Sequence, residues 1–176
     1  MKNDLVYLGK LGRAVGLKGE MRIILETDFL EQFKKGTFLY LADSSVLAIE
    51  SIDLNKNHIK LLDIDSPENA SKYTNKEIFS THEDTRKNCK LKEGQFFWFD
   101  LIGLHVLEND LLLGIVRDVS RFPGSDYFEI ETNQELCAQG MPKSFLIPYI
   151  PNFIKNVNLD ENKINVQNSL DILKNS

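Results

Sequence analysis

The chain has 176 residues, of which 42% are hydrophobic and 27% charged, with a formal net charge of −5. That balance suits one globular domain or two small ones, and it excludes both a disordered chain and a protein that coats nucleic acid by bulk charge. No apolar run approaches the roughly 20 residues that span a bilayer, and the opening MKNDLVYLGK has no signal-peptide core, so a cytoplasmic protein without membrane contact is expected.

In chain order, LVYLGKLG and EMRIILETD read as two strands, punctuated by Gly9, Gly12, Gly16 and Gly19. The glycine-rich stretch between them, GKLGRAVGLKGE, is no phosphate loop. Gly9 and Gly12 break the GxGxxG spacing, and Lys18 is followed by Gly19 rather than Ser or Thr. It reads as a turn whose cations Arg13, Lys18 and Arg22, with Lys10 nearby, can meet phosphates. Asp28 is placed to cap a short helical turn, and residues 37–65 read as three strands with turns at Asp43-Ser44-Ser45 and Asn55-Lys56-Asn57. Ser66 as N-cap, Pro67 at the first helical position and Glu68 in the first turn mark a helix, and KEIFST adds a strand.

From His82 to Gly94 the chain is polar and aperiodic, which reads as a linker. The domains expected are therefore 1–85 and 95–176, joined by 86–94, both built from short strands as in small β-barrels or sandwiches. In the second, turns fall at Asn109-Asp110, at Pro123-Gly124-Ser125-Asp126 and at Asp160-Glu161-Asn162, and SLDILKNS closes the chain as a short helix. At its start, EGQFFWFDLIG holds four aromatics. Read as a strand, it puts Phe97 and Phe99 on one face and Phe96 and Trp98 on the other, so that one face packs inward and the other needs a cover. A protein partner fits that cover better than stacked bases, because no Arg or Lys interrupts the rings and Asp100 follows them.

Catalytic and metal chemistry find little support. Cys89 and Cys137 form no CxxC pair, and His58, His82 and His105 are scattered without ligand spacing. Glu129 and Glu131 alternate with apolar residues as a solvent-facing strand does, and no serine sits in GxSxG. A non-catalytic protein with neither metal nor organic cofactor is expected.

Four segments in order, LGKLGRAVGLKGEMRI, EGQFFWFDLIGLHV, LGIVRDV and FLIPYIPNFIKNVNLDENKINV, resemble the bacterial ribosome maturation factor RimM family over nearly the whole chain. The resemblance implies a mainly β fold, with a translation-factor-like amino-terminal barrel followed by a PRC-barrel. It also implies a monomeric factor that assists assembly of the small (30S) subunit head and processing of 16S rRNA by binding small-subunit ribosomal protein uS19. In that family the two aromatics before the tryptophan are usually tyrosines that serve this association; Phe96 and Phe97 stand there, keeping the rings without the hydroxyls. The resemblance places the protein-binding surface on Phe96, Phe97, Trp98, Asp100 and Leu101. Asn158, where aspartate is common, and Pro151-Asn152, in place of a more acidic turn, depart from the pattern. The competing readings are an RNA-binding platform of an RNA-modifying enzyme and a PRC-barrel adaptor with a non-ribosomal partner.

Overall fold

Alternation of apolar and polar residues sets out six strands before residue 82: β1 (Leu5–Val15), β2 (Glu20–Leu25), β3 (Phe38–Tyr40), β4 (Val46–Asp53), β5 (His58–Leu61) and β6 (Glu77–Thr81). In the computed structural model, which describes residues 4–176, they close into a barrel in the order β1-β2-β5-β4-β3-β6, antiparallel throughout. Closure removes the unpaired strand edges that invite aggregation. Leu8, Leu11, Met21, Leu39, Ile59 and Ile78 fill the interior. The expected turns are made by Ser44 and Asn57, both in the left-handed region.

Helix α1 (Pro67–Ser71) has the cap its sequence implies, with the Ser66 hydroxyl accepting from the Asn69 amide at 3.2 Å. The N-cap position expected at Asp28 falls one residue later, on Phe29. The 3-10 turn there spans Leu30–Gln32 and starts from Phe29 without a side-chain cap, while the Thr27 hydroxyl accepts from the Phe29 amide.

The polar stretch after β6 is corrected by the structure: His82–Asn88 is a helix, α2. The Thr81 side chain accepts from the Asp84 amide at 3.0 Å, with Glu83 and Asp84 in the first turn and Arg86 and Lys87 in the last, the arrangement that complements a helix dipole. The Tyr40 hydroxyl donates to Asp84 at 2.9 Å and ties α2 to the barrel wall. This helix runs across the expected boundary at residue 85, and the chain divides into two units after Lys90. Residues 90–95 are all exposed. Limited trypsin treatment is therefore expected to cut first at Lys90 or Lys92 and to spare Arg86 and Lys87, as mass spectrometry of the first fragments would reveal. Early cuts inside either β-rich unit would contradict the division.

From Leu91 onward, strands β7 (His105–Glu108), β8 (Leu111–Phe122), β9 (Ser125–Thr132), β10 (Ser144–Pro148), β11 (Ile154–Asn158) and β12 (Lys163–Val166) form one sheet ordered β10-β9-β8-β7-β12-β11. All neighbours are antiparallel except β7 and β12, which run parallel. Leu101, Val106, Leu113, Phe128, Ile147 and Leu173 lie in its core. Helix α3 (Trp98–Leu101) precedes the sheet, α4 (Gln134–Ala138) follows β9, and α5 (Ser169–Asn175) ends the chain. The Glu108 carboxylate accepts from the amides of Ser169 and Leu170 at 2.9 and 2.7 Å, capping α5 from the first strand of the sheet.

The two units differ in charge. Residues 1–90 hold fourteen Lys and Arg against fourteen Asp and Glu, while residues 91–176 hold seven against twelve. The whole formal charge of −5 therefore belongs to the second unit.

Candidate functional site

The aromatic run is not the strand its composition suggests. Phe97 is extended and starts α3, a single helical turn in which the Asp100 amide donates to the Phe97 carbonyl at 2.9 Å. The cause is core packing. Phe97, Leu101 and Leu104 are 5%, 0% and 3% exposed; the single turn carries Leu101 into the core, and Leu104 follows after the chain leaves the helix at Ile102 and turns at Gly103. The aromatic preference for strands yields to that burial. Phe97 and Phe99 still meet, as rings stacked 5.2 Å apart with planes 7° from parallel. Phe96 and Trp98 are half-buried against the same core. Asp100 is also half-buried, and Ile102 is exposed.

The Trp98 ring has a cover that the sequence does not announce. Arg121, near the tip of the β8–β9 hairpin, places its guanidinium carbon 4.8 Å from the ring centroid, within cation–π range. Its cross-strand neighbour Asp126 lies 3.5 Å from the guanidinium Nε. On the same hairpin, Phe122 meets Tyr127 edge-on at 5.4 Å. Arg121 and Phe122 follow one another in β8, so the Trp98–Arg121 contact and the Phe122–Tyr127 pair lie on opposite faces of the hairpin, and Trp98 is covered on one of them. The Trp98 face offers apolar anchoring with a polar rim, which suits a protein partner.

The second group of residues sits on the first unit. β1 and β2 pair Ala14 with Met21 and Val15 with Glu20, and a register break just before this pairing holds Gly12 and Arg13. Arg13 and Arg22 flank the Ala14–Met21 pair, and Lys18 lies in the turn over residues 16–19; all three are exposed. Among the described residues none of the three has an ion-pair partner, whereas Lys10 pairs with Glu77 at 3.8 Å. Unneutralised exposed cations at one end of a hairpin are what phosphate binding requires.

The Cys89 thiol offers no reactive centre. Burial and the nearby Glu31 carboxylate push the Cys89 thiol up to about 11, against a smaller pull from Lys34, so it stays protonated at neutral pH. Cys137 is a free thiol. Among the described residues no three His, Cys, Asp or Glu side chains gather as a metal site would.

A closed antiparallel barrel and a second six-stranded β unit, each with its own exposed chemistry, define a two-domain β-barrel protein. The family models name both halves: the RimM N-terminal domain matches residues 6–85, and the RimM PRC barrel domain matches residues 98–172. The chain is 43% identical over 175 residues to the ribosome maturation factor RimM of Aliarcobacter butzleri, covering 99% of this chain and 98% of that one. It is also 43% identical to that of Campylobacter concisus, over the full length of both chains. A solved Pseudomonas aeruginosa structure, described as a candidate 16S ribosomal RNA processing protein RimM, aligns over 96% of this chain and 99% of that one at 22% identity, with a TM-score of 0.40. The chain belongs to the RimM family of ribosome maturation factors.

Proposed function

We propose that this protein assists assembly of the small-subunit head and processing of 16S rRNA by binding ribosomal protein uS19, as a non-catalytic monomer in the cytoplasm. The observation that carries the reading is the match of both RimM domains, in order, within one chain. The unequal charge of the two units supports a division of labour. The second unit, with all the net negative charge and a ring-rich surface around Phe96 and Trp98, receives a basic protein client. Attraction between opposite charges speeds their encounter and steers its orientation. The neutral first unit, with three unpaired cations on the β1–β2 hairpin, touches the RNA into which that client must be fitted.

The decisive experiment compares sucrose-gradient profiles and 16S rRNA ends in strains with and without the gene. Free small subunits and unprocessed RNA are expected to accumulate without it and to return to normal on complementation. Normal profiles and normal RNA ends in the deletion strain would overturn the reading. For the RNA-facing surface, the triple variant Arg13→Ala, Lys18→Ala, Arg22→Ala should bind head-domain RNA more weakly. Its log-affinity against log-salt slope should flatten by about one for each phosphate the protein no longer neutralises. Filter binding across a salt series measures both, and an unchanged slope would remove the hairpin from the RNA-binding surface.

A further inference from the structure

Leu17, in the turn between β1 and β2, is 87% exposed, and no other large apolar side chain among the described residues exceeds 52%. Half of the others lie along strands, where single exposed apolar groups are ordinary, and Leu54 and Leu159, each the first residue of a strand-to-strand turn, are only 37% and 43% exposed. Leu17 stands in the middle of its turn, a place where turns normally carry polar residues, and is far more exposed than either. The backbone holds it there. Gly19 has φ of +76°, and a Cβ at that position would fall 1.9 Å from the carbonyl oxygen of Ile64, so the base of the turn is seated against the backbone leading into α1. On the other side of the leucine, Gly16 is left-handed, with nothing within 4 Å of where its Cβ would be. The side chain is thus aimed into open solvent beside Lys18, with Arg13 and Arg22 one step back along the strands.

An apolar tip backed by three cations matches RNA that has phosphates on the outside and a gap in its base stack. Cations grip the backbone, while an aliphatic group entering between bases gains burial that water denies it. A continuous A-form helix offers no such gap, whereas a bulge or loop does. Resting on the RNA-facing reading of this hairpin, we propose that Leu17 is a wedge that enters an unstacked position in RNA, so that the barrel prefers helices interrupted by an unpaired nucleotide to uninterrupted ones.

The test uses the full-length protein and two RNA hairpins, one with a single bulged nucleotide beside a 2-aminopurine and one fully paired. The natural protein should bind the bulged hairpin more tightly and raise the 2-aminopurine fluorescence as stacking is lost. Leu17→Ser should weaken binding to the bulged hairpin by about tenfold. It should abolish the fluorescence change, and it should leave affinity for the paired hairpin, the salt slope and the melting temperature unchanged. Leu17→Met should retain the natural behaviour. The triple cation variant should instead weaken both RNAs and flatten the slope. The wedge is overturned if Leu17→Ser binds both hairpins as the natural protein does, or loses affinity equally for both. If the cation variant still weakens binding in that case, the RNA-facing reading survives without the wedge. If Leu17→Ser impairs only association with assembling subunits, and leaves both RNAs unaffected, the tip enters a protein pocket and the inference falls.

Discussion

Phe97→Ala is expected to destabilise the second unit by about 3–5 kcal/mol, the usual cost of truncating a buried phenylalanine. The ring is 5% exposed and stacks on Phe99, so its removal leaves a cavity and an unsupported neighbour. Phe96→Ala should behave differently. That ring is half-buried, its loss should cost stability only about 1–2 kcal/mol, and the main effect should fall on affinity for uS19. An anchor worth about 2 kcal/mol corresponds to roughly thirtyfold in Kd. Phe96→Tyr keeps the ring and should bind as well as the natural protein. Thermal melts and titration calorimetry on the full chain separate the two roles, provided binding is measured where each variant is folded. Should both alanine variants melt early while neither loses affinity, the run is entirely core and the client docks elsewhere.

Gly9→Ala should be nearly as damaging, for a reason unrelated to any apolar packing. Gly9 lies in β1 at the break in register with β6, with φ of +144°, a region essentially closed to residues with a Cβ. A Cβ there would stand 2.0 Å from the Ile24 carbonyl oxygen and 3.0 Å from the Leu25 Cα, both backbone atoms of the paired strand that cannot swing aside. Backbone strain and overpacking together suggest a loss of roughly 2–5 kcal/mol, even after the small gain from a stiffer unfolded chain. Gly16→Ala, with open space around it, should cost about 1 kcal/mol. Urea midpoints of the two variants provide the comparison, and equal midpoints would refute the steric argument.

Local chemistry made much of this architecture legible. Asn57, Ser44, the Asn109-Asp110 pair and Asn162 all take positive φ where their residue types suggested turns, because short polar side chains tolerate that conformation. Ser66-Pro67 marked α1 for an equally local reason. What escaped was decided by tertiary packing. α3 hid beneath four strand-preferring aromatics, and its single turn, Trp98–Leu101, is too short to show a helical period. α2 has no apolar stripe to betray it; it is held by a threonine cap, by the buried Thr85 and by Tyr40 reaching across from the barrel. α4, capped by Asn133, is too short to express a period. At the candidate surface the rings of the aromatic run were readable, but nothing in the sequence linked Trp98 to Arg121, since that pairing depends on how the β8–β9 hairpin folds.

The parallel pairing of β7 with β12 has a consequence for synthesis. The amino-terminal barrel is complete once β6 has left the ribosome that is making it, because β1 finds its last neighbour there. The second unit must wait. β7 lacks one neighbour until β12 emerges, and Glu108 meets the amides it caps only when Ser169 and Leu170, about 60 residues later, arrive. Pairings so distant in sequence form late and slowly. A nascent chain would therefore display a finished first barrel beside an unfinished second unit, so whatever the first barrel binds could be held before the second unit is able to bind anything.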